Sequence, residues 1–352
     1  MGTSTTLTRI QALVVLIVIK LLTIFYSAIF IVRLIFLIVT SPTKNRFKVQ
    51  QRNNPPNVLT NANYGMHKYV RLKEIKLHYV DSGNANNTAI VFLHGFPDFW
   101  FSWRHQIKEF SKTFRTIAVD LRGYGDSDKP FGSKHYTLNV VMEDIKDLLD
   151  ALGIERCILV GHDWGGLIVW QFAQMYPHRL QKFIVINAPE RTVFWRYIFT
   201  SFDQFKRSWY IFFFQSPYLP EIAFKIDDLK VFENVYRTNE QLAILNAEEL
   251  EAYKYTFGKT DALTPPLNYY RAIKYEGKSL KHSSNRQSEA VKPPGLLIIS
   301  DEDRALSRGL LELSAKIFGG DRIAIQLITK AGHFVQQEKP CEVNQAIATF
   351  IL

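Results

Sequence analysis

Short apolar segments recur along most of the chain, with helical patterns between them. From residue 73 onward the strand-like segments are IKLHYV, AIVFLH, RTIAVD, CILVG, KFIVIN, GLLIIS and IAIQLI. Those from AIVFLH onward are continuously apolar, which is typical of strands covered by helices on both faces of a mostly parallel sheet. Between strands, LNVVMEDIKDLLDALG repeats apolar residues at helical spacing and ends at the glycine after Leu152. The pattern predicts an α/β domain over residues 67–352.

One long segment, about residues 190–289, interrupts this alternation. It is rich in aromatic residues, and its pattern indicates helices and not strands. It lies between the strand that ends at Asn187 and the strand that starts at Gly295. We therefore expect a helical cap inserted into the α/β domain.

The first 40 residues are dominated by an apolar run from Ile10 to Thr40, which only Lys20 and Arg33 interrupt. Spanning the hydrocarbon core takes about 20 residues, and one cation at its centre costs about 2.5–3.5 kcal/mol. The alternative is a cleaved signal peptide, whose apolar region is roughly 7–15 residues with a small-x-small site after it. Because this run is longer and shows no clear site, we expect an uncleaved single-pass transmembrane anchor. Residues 41–66, rich in Asn and Pro, are interpreted as a linker.

The formal net charge of +10 has a local origin. Ten basic residues and no acidic residue precede Glu74, so the rest of the chain is neutral. A basic excess around an apolar segment favours a membrane surface as partner and argues against nucleic acid. Basic residues dominate the C-terminal flank of the anchor, so the positive-inside rule predicts a cytoplasmic catalytic domain. The endoplasmic reticulum is the expected membrane, with organelle and topology left open. Asn86 begins a glycosylation sequon that matters only for a lumenal domain.

The two cysteines, Cys157 and Cys341, show neither a disulfide framework nor metal-ligand spacing. Cys157 lies in an apolar run that predicts a buried strand. This pattern favours a reducing compartment for the main domain.

The run CILVGHDWGGLIVWQFA predicts a strand, a sharp turn and a helix, with Asp163 in a G-x-D-x-G pattern at the turn. This is the arrangement of a nucleophile elbow, with Asp where lipases and esterases have Ser. The glycines leave room for a strained turn beside the nucleophile. Alone, Asp163 could equally be a cap of the helix that follows.

An acid after a later strand and then a histidine complete such a site in chain order. Asp303 follows GLLIIS, with Asp301 as a competitor, and His333 follows IAIQLI in the turn AGHFVQQEKP. Each residue alone has an ordinary explanation, a surface acid or a packed loop histidine. Together, in this order at three strand ends, they predict a catalytic set.

A carboxylate nucleophile decides the class of reaction. It is already ionised at neutral pH, so it can displace an oxygen or a halide from a saturated carbon and form an ester on Asp163. His333, oriented by Asp303, would then activate water to hydrolyse that ester. The backbone N–H groups of Phe96 and Trp164 are expected to stabilise the resulting oxyanion. No cofactor or metal is expected, because no step needs redox or metal chemistry.

These motifs make the chain resemble the α/β-hydrolase-fold epoxide hydrolases over residues 69–352. The shared signatures are HGFP from His94, DLRGYGDSDKP, GHDWGG and the GH turn at His333. The superfamily also contains haloalkane and fluoroacetate dehalogenases. The anchor joined directly to this domain is similar to the membrane-anchored subgroup of animals.

The resemblance implies two cap tyrosines that hydrogen-bond to the epoxide oxygen and protonate it. WYIFFFQSP places Tyr210 at the first position, and PPLNYYRAI places Tyr270 at the second, with Tyr269 as a rival in register. Tyr269, Phe96 and Trp164 are also expected to contact substrate.

One departure from the family concerns the acid loop. The family has a Trp-Gly pair two residues before the Asp, and this chain has Ile299 and Ser300 there. The spacing still selects Asp303. Within DLRGYGDSDKP, we interpret Arg122, Asp126 and Ser127 as a structural lock of the loop beside the site.

The sequence thus predicts a membrane-bound epoxide hydrolase, an ether-bond hydrolase that turns a small lipophilic epoxide into a vicinal diol. Fatty-acid, juvenile-hormone-like and foreign epoxides fit equally well, so lipid metabolism and detoxification are both open, as is the oligomeric state. The alternatives are a dehalogenase of the same superfamily and a non-catalytic binding protein on this fold.

Overall fold

The computed structural model describes residues 2–276 and 293–352. Within them, eight strands form one sheet in the order β1-β2-β4-β3-β5-β6-β7-β8. The strands are β1 (Met66–Arg71), β2 (Lys76–Ser82), β3 (Ala89–Leu93), β4 (Arg115–Val119), β5 (Cys157–His162), β6 (Leu180–Ile186), β7 (Gly295–Ser300) and β8 (Ile323–Ile328). β1 and β2 run antiparallel to their neighbours, and the other pairs are parallel.

Fifteen helices are described in the same two ranges. They are α1 (Gly2–Thr40), α2 (Arg104–Phe110), α3 (Leu138–Ala151), α4 (Trp164–Met175), α5 (Arg191–Ile198), α6 (Phe202–Arg207), α7 (Trp209–Phe213), α8 (Leu219–Leu229), α9 (Val231–Val235), α10 (Ala247–Gly258), α11 (Thr264–Arg271), α12 (Ile273–Glu276), α13 (Arg308–Phe318), α14 (Val335–Glu338) and α15 (Pro340–Ile351).

The seven strands predicted from apolar runs are confirmed, and the sheet is mostly parallel as expected. β3 and β5 to β7 are buried almost throughout, because α4 packs on β5 and β6 while α13 and α15 pack on β7 and β8. Strand β1 was not predicted. It is an edge strand whose side chains are exposed or half-buried, so it lacks the apolar run that marks the others.

A helical insert separates β6 from β7, as predicted. Helices α5–α12 form it in the described residues, and the last part of the expected range, 277–289, lies outside them. Arg271 pairs with Glu221 at 2.7 Å and ties α11 to α8. Arg104 of α2 pairs with Glu249 of α10 at 2.7 Å, which fixes the insert to the α/β domain.

Residues 41–66 lie against the cap. Arg46 and Arg52 pair with Asp227 and Asp228, and Arg52 also pairs with Glu251. Both aspartates have left-handed backbone, at φ 50° and 56°, in a kink of α8. The segment predicted as a linker is therefore held to the cap by ion pairs.

Helix α1 also contacts the cap. The ring of Tyr26 lies 6.2 Å from that of Trp209 and 6.4 Å from that of Phe212, and Phe30 lies 5.1 Å from Phe213. The residues contacted all belong to α7. Among the described residues, Val14–Thr40 is the one stretch of helix long and apolar enough to cross a membrane.

The loop after β4 is locked as expected. Arg122 is buried and donates twice to Asp144 of α3, at 2.7 Å each. The Ser127 hydroxyl donates to the Asp120 carbonyl at 2.6 Å and accepts from the His78 amide at 2.9 Å. Asp126 pairs with Lys259 of the cap at 2.8 Å. The loop therefore joins the sheet, α3 and the cap.

We predict that Asp144→Ala lowers the free energy of unfolding by about 3–5 kcal/mol, because it leaves the Arg122 guanidinium buried without its bidentate partner. Urea unfolding followed by circular dichroism would measure this loss. The matched control is Asp150→Ala on the same helix, where a half-exposed carboxylate pairs with Lys146 and Arg179. That change is expected to cost about 0.2–1 kcal/mol. Equal losses in the two variants would contradict the structural role of Arg122.

Candidate active site

Asp163 lies at the sharp turn between β5 and α4. Its backbone has φ 51° and ψ −117°, a strained conformation for a residue with a side chain. The turn is possible because Gly165 packs against β3, where a β-carbon would collide with the carbonyl oxygen of Leu93. The strain points the carboxylate away from the sheet and into the space below the cap.

The Asp163 carboxylate accepts a hydrogen bond from the Phe96 amide, which lies 2.8 Å from its Oδ1. Gly95 makes this approach possible, since a β-carbon there would collide with the Asp163 side chain. Burial alone would raise the pKa of Asp163. His333 and, to a lesser degree, the Phe96 amide outweigh burial, so the pKa lies below its usual range. Asp163 is therefore ionised at neutral pH.

His333 lies between two carboxylates. Its Nδ1 is 2.7 Å from Asp303 Oδ2, and its Nε2 is 3.6 Å from Asp163 Oδ2. Burial would lower the pKa of His333, but the two carboxylates raise it to about 10. In the free protein the imidazole is thus a cation that both acids stabilise.

Asp303 is placed to orient this histidine, and Asp301 is not. The Asp303 side chain is buried, and its other oxygen accepts from the amides of Ala305 and Leu306 at 2.7 and 2.9 Å. Asp301 is exposed and accepts from the Ala331 amide at 3.4 Å. The geometry therefore agrees with the spacing that selected Asp303.

The backbone of the His333 turn is held by two buried side chains. His162 Nε2 and Asn187 Nδ2 both donate to the His333 carbonyl at 2.9 Å. Burial lowers the pKa of His162 to about 3, so its ring is neutral. Gln336 Nε2 lies 3.2 Å from His162 Nδ1, which leaves the ring proton on Nε2.

Ser300 has a structural role in the acid loop. Its hydroxyl accepts from Asn187 Nδ2 at 2.7 Å, and its amide donates to Asn187 Oδ1 at 3.0 Å. This pair joins the ends of β6 and β7, directly before Asp303. Ser300, one of the two residues that replace the family's Trp-Gly pair, therefore fixes the acid loop through these hydrogen bonds.

A mostly apolar cavity lies between the nucleophile turn and the cap. Its lining residues are Leu138, Asp163, Trp164, Leu167, Pro189, Arg191, Phe194, Trp195, Tyr210, Ile211, Tyr270, Ile273 and Leu306. Tyr210 comes from α7 and Tyr270 from α11, and their ring centres are 5.9 Å apart. Burial raises the pKa of both phenols, so both are protonated hydrogen-bond donors.

Two expected substrate contacts need correction. The Tyr269 hydroxyl donates to the Arg122 carbonyl at 2.8 Å, and its ring is buried outside the cavity lining. Of these two tyrosines on α11, Tyr270 lines the cavity. The Phe96 ring also lies outside the lining and packs behind Tyr270, with ring centres 5.3 Å apart.

Comparison with known proteins agrees with this geometry. Residues 88–340 match the family model of the alpha/beta hydrolase fold. The chain is 38% identical to epoxide hydrolase 4 of Homo sapiens, over 92% of this chain and 89% of that protein. It is 36% identical to epoxide hydrolase 1 of Caenorhabditis elegans, over 93% of this chain and 79% of that protein. The chain belongs to the epoxide hydrolase family of the α/β-hydrolase fold.

A solved relative supports the same conclusion. The crystal structure of Bacillus megaterium epoxide hydrolase in complex with an inhibitor matches with a TM-score of 0.69 at 31% identity, covering 81% of this chain and 99% of that one. Membership of this enzyme family sets aside the dehalogenase and the non-catalytic binding protein considered above.

This epoxide hydrolase has a buried cluster that sequence analysis missed. Asp98 accepts from the hydroxyls of Tyr236 and Tyr253 in the cap, at 2.7 and 2.6 Å, and from Gln337 Nε2 at 3.1 Å. Burial raises the pKa of Asp98 to about 6. The cluster links the cap to the segment after His333. Its one signal in the sequence was an acid directly after HGFP.

Among the side chains described, residues 14–275 and 293–352, no group of three or more His, Cys, Asp or Glu is arranged to hold a metal ion. Both cysteines are free, and Cys157 is buried in β5 as predicted.

We predict that Asp163→Asn lowers the pKa of His333, because it removes one of the two negative charges that raise that pKa to about 10. Histidine-selective NMR titration of the epoxide hydrolase would measure the change. Wild-type His333 should stay cationic from pH 6.5 almost to pH 10, and the variant should lose its proton at lower pH. The control is Asp301→Asn, whose carboxylate does not contact the ring. An unchanged midpoint in Asp163→Asn would contradict the coupling.

Proposed function

We propose that this epoxide hydrolase opens lipophilic epoxides in two steps through an ester on Asp163. In the first step, Asp163 Oδ attacks an epoxide carbon and the C–O bond breaks. Tyr210 and Tyr270 hydrogen-bond to the leaving oxygen, and one of them supplies its proton. The observation that carries this proposal is one cavity lined by an ionised carboxylate and two protonated phenols.

The tyrosines support an epoxide as the group that leaves. An epoxide oxygen leaves as an alkoxide, which requires a proton donor, whereas a halide leaves as a stable anion. Phenols held in an apolar cavity with raised pKa keep their protons at neutral pH. They can therefore stabilise the developing charge and deliver a proton as the C–O bond breaks.

In the second step, His333 acts as a general base. Ester formation removes the negative charge of Asp163, which is one of the two charges that raise the His333 pKa. The imidazolium can then return a proton to the phenolate left by the first step. The neutral imidazole takes a proton from the attacking water, while Asp303 keeps Nδ1 oriented. Water attacks the ester carbonyl, and the Phe96 and Trp164 amides stabilise the oxyanion. The diol leaves, and Asp163 regains its charge.

The walls of the cavity favour an apolar substrate. Phe194, Trp195, Ile211, Ile273 and Leu306 surround the reacting groups. Removing apolar surface of a ligand from water stabilises its bound state by roughly 25 cal/mol per Å² of buried area. Lipophilic epoxides, including fatty-acid, juvenile-hormone-like and foreign epoxides, fit this lining.

The domain boundaries and the location form part of the proposal. We assign residues 1–40 to an uncleaved membrane anchor, 41–66 to the connecting segment, and 67–352 to the catalytic domain, with its cap near 190–289. Lys44, Arg46, Lys48 and Arg52 follow the anchor, so a cytoplasmic domain on the endoplasmic reticulum is proposed.

We predict that a single turnover in ¹⁸O-water gives unlabelled diol, because the oxygen added to the substrate comes from the Asp163 carboxylate. Later turnovers should give labelled diol, as water exchanges into that carboxylate during ester hydrolysis. Mass spectrometry of the product under excess enzyme and then excess substrate would measure both. Label in the first-turnover diol would rule out the ester on Asp163.

We predict that Tyr270→Phe and Tyr210→Phe each lower kcat for epoxide opening. The kcat of the double variant should fall by about 10²–10⁴-fold, the usual range for general acid catalysis. Rapid-quench measurement of ester formation would locate the loss in the first step. The matched control is Tyr269→Phe, one residue away on α11, which removes the hydrogen bond to Arg122. It should cost about 0.5–1.5 kcal/mol of stability and leave kcat within a few-fold. Equal losses of kcat in Tyr269→Phe and Tyr270→Phe would contradict the assignment.

A further inference from the structure

Helix α1 contacts the catalytic domain along one face. Ile19, Leu22, Tyr26 and Phe30 are partly buried and pack against the core. These positions are three or four residues apart, so they form one stripe on the helix. The stripe is centred on α7, where Tyr26 and Phe30 meet three aromatic side chains. We call this stripe the docking face.

A second side of α1 is apolar and uncovered. Leu21, Phe25, Val32 and Phe36 recur on one face of the helix and are exposed by 61%, 57%, 66% and 68%. We call these four residues the lipid face. A helix that is hydrophobic all round is normally buried on every side. The cap covers one side of α1, so an apolar phase must cover the other.

The two cations of α1 avoid the lipid face. Arg33 follows Phe30 by three residues and so falls on the docking side. Lys20 follows Ile19 by one residue and points about 100° from the docking face. Both side chains are exposed. In this arrangement neither charge belongs to the lipid face itself.

A transmembrane orientation conflicts with the docking face. Tyr26 and Phe30 lie near the middle of the apolar stretch Val14–Thr40. If that middle were at the centre of a bilayer, α7 would be there too. The turns at both ends of α7 would then place non-helical backbone in hydrocarbon, where its polar groups find no partners. Arg207, directly before Ser208 at the start of α7, would enter the same region.

We propose that α1 lies in the plane of one membrane leaflet, with its docking face on the cap and its lipid face in the acyl chains. This inference rests on the membrane association proposed above and replaces the single-pass orientation expected from hydropathy. The lipid bilayer is the occupant of the exposed face, and the amino terminus stays on the same side as the catalytic domain. The cap, and not the sheet, then faces the membrane.

This placement puts the cavity close to the bilayer. Trp209, Phe212 and Phe213 of α7 meet α1, while Tyr210 and Ile211 of the same helix line the cavity. One helix therefore separates the membrane anchor from the cavity, and the axes of two packed helices lie about 8–10 Å apart. A lipophilic epoxide dissolved in the leaflet would be one helix away from Asp163.

The test is the topology of the full chain in microsomes. The chain carries an amino-terminal tag with an epitope and an Asn-x-Thr sequon. Glycosylation of this tag is compared with glycosylation of Asn86, the exposed native sequon of the catalytic domain. Protease is added from outside, with and without detergent, and glycosylation of both sites is scored. We expect the tag and the domain to be digested together or protected together, with matching glycosylation. Opposite states would overturn the in-plane orientation.

Alkaline carbonate extraction of the same membranes separates this inference from the proposed anchor. Retention of tagged protein in the membrane pellet after alkaline carbonate supports the anchor. A soluble protein, or loss of the tag by cleavage, would overturn both the anchor and the in-plane helix. Opposite sides for tag and domain in retained protein would overturn the orientation alone.

Depth measurements give an independent check. Nitroxide labels at Leu21, Phe25, Val32 and Phe36 are placed one at a time in a Cys341→Ser background, in phosphatidylcholine vesicles containing phosphatidylserine. An in-plane helix gives similar oxygen accessibility at all four positions. A profile that rises to a maximum at the middle of the helix and falls again would overturn the proposal. A label at Ile17, also exposed, extends the series by one turn.

Discussion

The strained backbone of Asp163 is the constraint on which the rest of the site depends. Its positive φ occurs where β3 and α4 approach so closely that Gly95 and Gly165 have no room for side chains. That approach also brings the Phe96 amide to the carboxylate. The sheet order places β3, β5, β6 and β7 side by side, so their carboxyl ends carry the amide, the nucleophile, the asparagine and the acid in sequence.

Electrostatics then couple the groups that this geometry brings together. His333 is held between Asp163 and Asp303, and its high pKa depends on both. A reaction that neutralises Asp163 therefore changes the proton affinity of the imidazole without any movement of the chain. The neutral His162 and Asn187 fix the backbone of the His333 turn and add no charge to the site. The order of the two proposed steps follows from these charges.

Chain order predicted that Asp163, Asp303 and His333 lie together, because each follows an apolar strand and strand ends of a parallel sheet meet at one edge. The Asp98 cluster could not be predicted, because Tyr236 and Tyr253 reach it only through the folding of the cap. The Tyr269 and Tyr270 register was equally open, since helix rotation decides which ring faces the cavity. Hydropathy identified the apolar stretch within α1, but it does not detect which face of a helix contacts protein. Edge strand β1 was missed because exposed strands lack an apolar run.

The single helix between α1 and the cavity has a consequence for enzyme kinetics. An enzyme that takes substrate from a leaflet responds to the mole fraction of epoxide in the lipid and not to its concentration in water. Inert lipid added at constant total epoxide would dilute the substrate in two dimensions and slow turnover, although the amounts of enzyme and substrate are unchanged. With α1 in the leaflet as proposed, an apparent KM for this protein would have meaning only beside the amount of membrane in the assay.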